Sequence, residues 1–360
     1  MVTEQTVLAA LATVQDPDLH RDIVSLGFIK NVRLADGMVS FTIELTTPAC
    51  PVRKQMEDAA RAAVAALPGV HEVNVTMSSR VVATPRDQRS SYLPGVRNTI
   101  AVASGKGGVG KSTVAANLAV ALGHAGATVG LMDADVYGPC IPRLMGASEA
   151  PQVTEQGKVI PPLRHGVKIM SMGFFLPQNE AVIWRGPMLH KMIQEFLGRV
   201  EWGELDYLVI DLPPGTGDVQ LSLCQSIPLT GAVIVSTPQD LALEVASKAI
   251  LMFRKLNVPI LGIVENMSYY RCSHCGERDD IFGHGGAREA SARVGIPFLG
   301  GIPLAAVIRV KSDAGQPVAL ESADPISQSF YEVAGELAAR ISMRNAGDGA
   351  PANDPVLVIQ

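Results

Sequence analysis

The chain has 360 residues, of which 47% are apolar, 18% charged and 5% aromatic, and its formal net charge is -5. This is the balance of a globular protein with room for two domains, and an acidic sign without any dense Lys/Arg run argues against nucleic acid as a partner. The first residues carry Glu4 and no basic start ahead of a long apolar core, and no apolar run reaches spanning length, so no membrane role and a cytoplasmic location are expected.

In chain order, a helical run from Val2 to Thr13 opens a small unit. An extended Ile29 to Leu34, a hairpin through Ala35-Asp36-Gly37 and a strand Met38 to Leu45 follow. The amphipathic run Val52 to Leu67 and a strand Val70 to Met77 complete a mixed α+β domain over 1–80. Residues 81–97 read as a linker, because Thr84 to Ser91 is polar and turn-rich with no period to bury. From Asn98 apolar strands alternate with helices: Thr99 to Ser104, Thr128 to Met132, Val167 to Met172, Tyr207 to Asp211, Ala232 to Ser236, Ile260 to Glu265 and Pro297 to Gly301. Near-continuous apolar strands between helices imply an α/β domain over 98–345, with a mainly parallel sheet covered on both faces and ligands at the strands' carboxyl ends. Residues 346–360 read as a tail.

Between the first of these strands and the helical run Val114 to Leu122 lies Gly105-Lys106-Gly107-Gly108-Val109-Gly110-Lys111-Ser112-Thr113. Strand, glycine loop and helix make a phosphate cradle. The glycines turn successive backbone N–H groups toward one anion, the helix adds the positive end of its dipole, Lys111 reaches the terminal phosphates and Ser112 offers a hydroxyl to Mg2+. Lys106 is a second cation in a turn where any small residue would serve. Its charge calls for a phosphate in the same site or on a facing subunit.

Three carboxylates lie at strand ends. Asp211 suits a direct or outer role toward Mg2+, Asp133 supports the metal, and Asp135 orients the attacking water; as capping and turn residues they would have a structural use instead. Asn266, following Ile260 to Glu265, stands where an adenine would lie and offers it a donor and an acceptor.

Five cysteines, spread from Cys50 to Cys275, are too sparse and odd in number for a disulfide framework and are expected to be reduced. Cys140 and Cys224 read mainly as packing residues. Cys50, in a loop before a helix, could be a thiolate held by the helix terminus or an inert thiol. Cys272 and Cys275 form the only close pair, and they offer two ligands where a tetrahedral zinc or a cubane cluster needs four. Two chains about a two-fold axis would supply four thiolates. A zinc site completed by His274 and His284, a redox dithiol and inert surface thiols are the other readings.

With these residues in view, the chain resembles the Mrp/ApbC-type iron-sulfur cluster carriers, a branch of the deviant Walker A ATPases that includes MinD- and ParA-like proteins. The resemblance is carried by Gly105 to Thr113 with its extra Lys106, Asp133-Ala134-Asp135-Val136-Tyr137-Gly138-Pro139, Trp184-Arg185-Gly186-Pro187-Met188, Asp211 to Asp218, Glu265-Asn266-Met267, and Cys272 with Cys275. Residues Asp16-Pro17-Asp18 and Thr46 to Pro51 are similar to the small metal-sulfur cluster biosynthesis domain often fused ahead of such ATPases. The resemblance implies a P-loop NTPase fold and a slowly hydrolysing ATP-bound homodimer in which Lys106 reaches the partner's nucleotide. It also implies a [4Fe-4S] cluster bridging the subunits through Cys272 and Cys275, a cluster scaffold as donor and apo iron-sulfur proteins as acceptors. Cys140 stands where such proteins more usually have serine. The rival readings are a nucleotide-switched scaffold or partitioning ATPase with a structural zinc, and an electron-transfer protein of the nitrogenase iron-protein kind.

Overall fold

The computed structural model describes residues 2–85, 92–175, 186–272 and 274–347, and side chains within these except at 186–192, 218–219 and 240–246. Residues 86–91 of the expected linker, Trp184, Arg185, the Asp218 side chain and residues 348–360 of the expected tail lie outside that description. The chain forms two compact units, one of residues 1–82 with 338–350 and one centred on 83–337.

In the first unit helix α1 (Glu4–Leu11) starts at Thr3, whose hydroxyl accepts the Thr6 N–H while Thr6 returns a bond to the Thr3 backbone. Strands β1 (Ile29–Ala35) and β2 (Met38–Leu45) pair antiparallel, and β3 (Glu72–Ser79) runs parallel to β2. Alternate residues Val39, Phe41, Ile43 and Leu45 are buried, the period of two that a sheet with one covered face requires. Helix α2 (Arg53–Ala65) meets them with Met56, Ala60 and Val64, spaced at four residues and so on one helical face.

The second unit holds parallel strands β4 (Val96–Ala103), β5 (Val129–Asp133), β6 (Val167–Ser171), β7 (Leu205–Asp211), β8 (Gly231–Ser236), β9 (Ile260–Arg271) and β11 (Phe298–Leu304), in the spatial order β6-β5-β7-β4-β8-β9-β11. Every residue of β5, β7 and β8 is buried, as expected of a sheet covered on both faces. Its longer helices include α3 (Lys111–His124), α4 (Gly186–Arg199), α5 (Asp218–Ser226), α6 (Asp240–Lys255), α7 (Gly286–Val294) and α8 (Pro325–Asn345), the last of which ends in the first unit. Asp211 stands opposite Asp133 in the β7–β5 register and opposite Val102 in the β7–β4 register. Three carboxyl ends therefore meet at one level, where the fold places ligands.

One element departs from expectation. Strand β9 does not give way to a loop after Asn266 but continues to Arg271, because Tyr270 and Arg271 pair antiparallel with Asp279 and Arg278 of the short β10 (Arg278–Asp279). The cysteine pair therefore sits at the tip of a β-hairpin.

Candidate functional site

The glycine loop joins β4 to α3 as expected. Gly108 and Gly110 take φ of +80° and +79°, a region where a side chain is strained, and at Gly107 and Gly108 no atom stands within 4 Å of an added Cβ. The result is an open cradle of backbone over the start of a 14-residue helix. Ser104 Oγ donates to the Lys106 carbonyl at 2.9 Å and the Gly215 N–H to the Ser104 carbonyl at 3.0 Å, tying the loop to the segment after β7.

Lys111 and Asp211 face each other in this cradle. Lys111 Nζ lies 2.5 Å from Asp211 Oδ1 and 3.3 Å from Ser112 Oγ; the two charged groups are 6% and 0% exposed. Burial pushes the Asp211 carboxyl up, and the Lys111 charge pulls it back. The second oxygen, Asp211 Oδ2, is buried without a hydrogen-bond partner. Such an orphan oxygen is costly to leave unmet, and with the Ser112 hydroxyl beside Asp211 it matches the hard-oxygen donor set of Mg2+. The residues present fit that ion.

Asp133 has another environment. Its Oδ1 accepts the Asp135 N–H at 3.1 Å, and its Oδ2 accepts the Ile141 N–H at 3.1 Å and the Ser171 hydroxyl at 2.9 Å. Burial and the neighbouring Asp211 charge outweigh these donors and push its carboxyl up to about 7. Both oxygens of Asp133 are thus engaged by the protein, so it braces the strand end. Asp135 is 9% exposed, and its Oδ1 accepts the N–H groups of Tyr137 (3.2 Å) and Gly138 (3.3 Å), which fixes its orientation through the turn.

Cys140, expected mainly to pack, is half-buried with its thiol against the Ser112 hydroxyl, and burial pushes it up to about 11. Only the folded chain brings residues so far apart together, and no local spacing signals it. Asn266 lies beside the loop, and its amide donates to the Val109 carbonyl at 2.8 Å. The next residue, Met267, takes φ of +56°, a left-handed conformation that costs a non-glycine residue about 1–2 kcal/mol. The Cys50 thiol is pushed up to about 11, chiefly by burial and further by Asp16 and Asp18, while the Val52 backbone N–H at the start of α2 pulls against that rise.

At the β9–β10 tip the Cys272 N–H donates to the Glu277 carbonyl at 2.8 Å and the Gly276 N–H to the Cys272 carbonyl at 2.9 Å. The Cys272 thiol is drawn below its ordinary value by the backbone N–H groups of Cys275 and His274 and then by the Cys275 side chain. Cys272 is half-buried and Cys275 exposed. His284 Nδ1 lies 2.5 Å from Arg278 Nη2, whose guanidinium also covers the Tyr269 ring. Among the described residues no three His, Cys, Asp or Glu side chains gather to hold a metal, so one chain presents two thiols there. No helix is long and apolar enough to cross a membrane among the residues searched.

Residues 95–338 match the family model for the NUBPL iron-transfer P-loop NTPase, and residues 4–76 match that for an iron-sulfur cluster assembly protein. The chain belongs to the NUBPL iron-transfer P-loop NTPase family. Within this family it is 48% identical to the iron-sulfur cluster carrier protein of Deinococcus radiodurans over 353 residues, 98% of this chain and 99% of that one. A nucleotide-binding protein from Archaeoglobus fulgidus, solved in complex with ADP, shares 44% identity and covers 68% of this chain and 98% of its own, with a TM-score of 0.59. The cell division ATPase MinD of Pyrococcus furiosus, at 24% identity and a TM-score of 0.51 over 67% of this chain and 98% of its own, shares the fold.

Proposed function

We propose that the chain is an ATP-dependent carrier that binds a [4Fe-4S] cluster at a homodimer boundary and passes it to apo-proteins. The observation that carries this reading is the hairpin of Cys272 and Cys275, which offers half of a four-ligand set from a P-loop domain. The name of the Deinococcus radiodurans relative supports the cargo, and the ADP complex of the Archaeoglobus fulgidus protein supports the nucleotide.

In this reading Gly105 to Thr113 hold the phosphates, and Ser112 with Asp211 hold Mg2+, which neutralises phosphate charge when bound. Lys111 leaves Asp211 for the terminal phosphates, and Asp133 keeps the end of β5 in place. Asp135, fixed by its turn, orients the attacking water, and Lys106 meets the nucleotide of the partner subunit. Asn266 lies beside the loop on the base side. At the hairpin, N–H groups aimed at Cys272 favour its thiolate, the form that ligates iron.

Anaerobic reconstitution with iron and sulfide tests the proposal. About four Fe per dimer are expected, with the optical and Mössbauer signature of a cubane, and Cys272→Ala removes them. Iron content unchanged in that variant, or iron bound at one per monomer with no sulfide, would overturn the bridging cluster.

A further inference from the structure

We propose that Asn266 and the kink at Met267 form a relay through which occupancy of the phosphate loop sets the state of the Cys272/Cys275 hairpin. The inference rests on the reading of those two places as nucleotide and cluster sites, and it gives Asn266 a positioning role.

The first link is one peptide group. Asn266 Nδ2 donates to the Val109 carbonyl at 2.8 Å, and that carbonyl shares a rigid plane with the Gly110 N–H. A phosphate that draws Gly110 N–H into the cradle tilts the plane and moves the oxygen that Asn266 holds. The approach is close: a Cβ on Gly110 would stand 2.2 Å from Asn266 Nδ2 and 4.0 Å from Met267 Cε.

The second link is the kink. Met267 has φ of +56°, and the β9–β11 pairing passes from Asn266 opposite Ile302 to Tyr270 opposite Leu304, so β9 carries extra residues there. The strand is pinned just before the kink. Glu265 is fully buried, with Oε2 accepting the Ala287 N–H at 2.8 Å and Oε1 accepting the Ser268 hydroxyl at 2.5 Å. Backbone held in a sparsely populated conformation between fixed neighbours is a two-state element in waiting, and its balance shifts when one of those neighbours moves.

The third link is continuity. Beyond the kink β9 runs to Arg271 and directly into Cys272, with β10 paired alongside. Ser268 to Arg271 and the step into Cys272 span about 17 Å from Met267, so a change of twist there is delivered to the thiols without an intervening loop.

The test uses the full-length, cluster-free protein, with site-resolved alkylation of Cys272 and Cys275 by iodoacetamide, with and without Mg2+ and a non-hydrolysable ATP analogue, and nucleotide affinity measured in parallel. In the wild type, saturating nucleotide is expected to change the alkylation rate about fivefold or more. At nucleotide concentrations that saturate each variant, Asn266→Ala should lose most of that change, and Met267→Gly, which keeps the Asn266 amide and frees the backbone, should lose most of it too. Wild-type nucleotide dependence in either variant overturns the relay, as does a wild type that binds nucleotide with no change in alkylation. If Asn266→Ala fails to bind nucleotide, Met267→Gly alone decides. Failure of the carrier reading would appear separately, as protein that takes up no iron, and would leave the alkylation result standing.

Discussion

Two carboxylates in adjacent strands, Asp211 and Asp133, are both fully buried, and their partners divide their roles. Asp211 keeps a charge against Lys111 and an oxygen without a partner, whereas Asp133 spends both oxygens on backbone and Ser171. A carboxyl raised from 3.8 to about 7 binds its proton more tightly folded than unfolded. The stability this contributes is complete below about pH 4 and is lost as pH rises through 7. Asp133→Asn removes that dependence, so urea unfolding should show the variant gaining on the wild type by on the order of 4 kcal/mol between pH 4 and 8. Parallel pH profiles for the two proteins would refute the assignment. The motif made Asp133 and Asp211 visible in the sequence as a group; their division of labour depends on Ser171 and Ile141, which no spacing around Asp133 announces.

Among the elements, β9 joins the most functions, and Glu265 anchors it. That carboxylate receives the Ala287 N–H at the start of α7 and the Ser268 hydroxyl, which combines a helix cap with a strand brace. Glu265→Ala leaves buried donors unmet and should cost about 2–4 kcal/mol in chemical denaturation, and Glu265→Gln, which keeps an acceptor, about 1 kcal/mol. Equal midpoints for wild type and the alanine variant would show that the anchor carries nothing. The apolar half of β9 was legible because an uninterrupted run such as Ile260 to Val264 has few alternatives in a chain of alternating strands and helices. Its second half was not, since Asn266-Met267-Ser268-Tyr269-Tyr270-Arg271 has no period and only pairing with β10 and β11 makes it a strand. The glycine loop needed no such help, because its positive φ values are demands that glycine itself advertises.

At the scale of the whole molecule, the carrier proposal makes one nucleotide site depend on two chains. Mixing Lys106→Ala with Lys111→Ala protein should restore ATP hydrolysis to about one quarter of the wild-type rate. Half of the dimers are then mixed, and each holds one intact loop facing one intact Lys106. Absence of any recovery would count against action across the boundary. A different consequence attaches to the end of α8, where Met343 packs on the N-terminal core and Asn345 Nδ2 donates to the Val82 carbonyl at 2.9 Å. A gene trimmed to its nucleotide-binding half would leave this helix with a bare oily stub. Clumping of such a fragment would report a missing cover, and any loss of turnover measured on it would say nothing about the chemistry of the cradle.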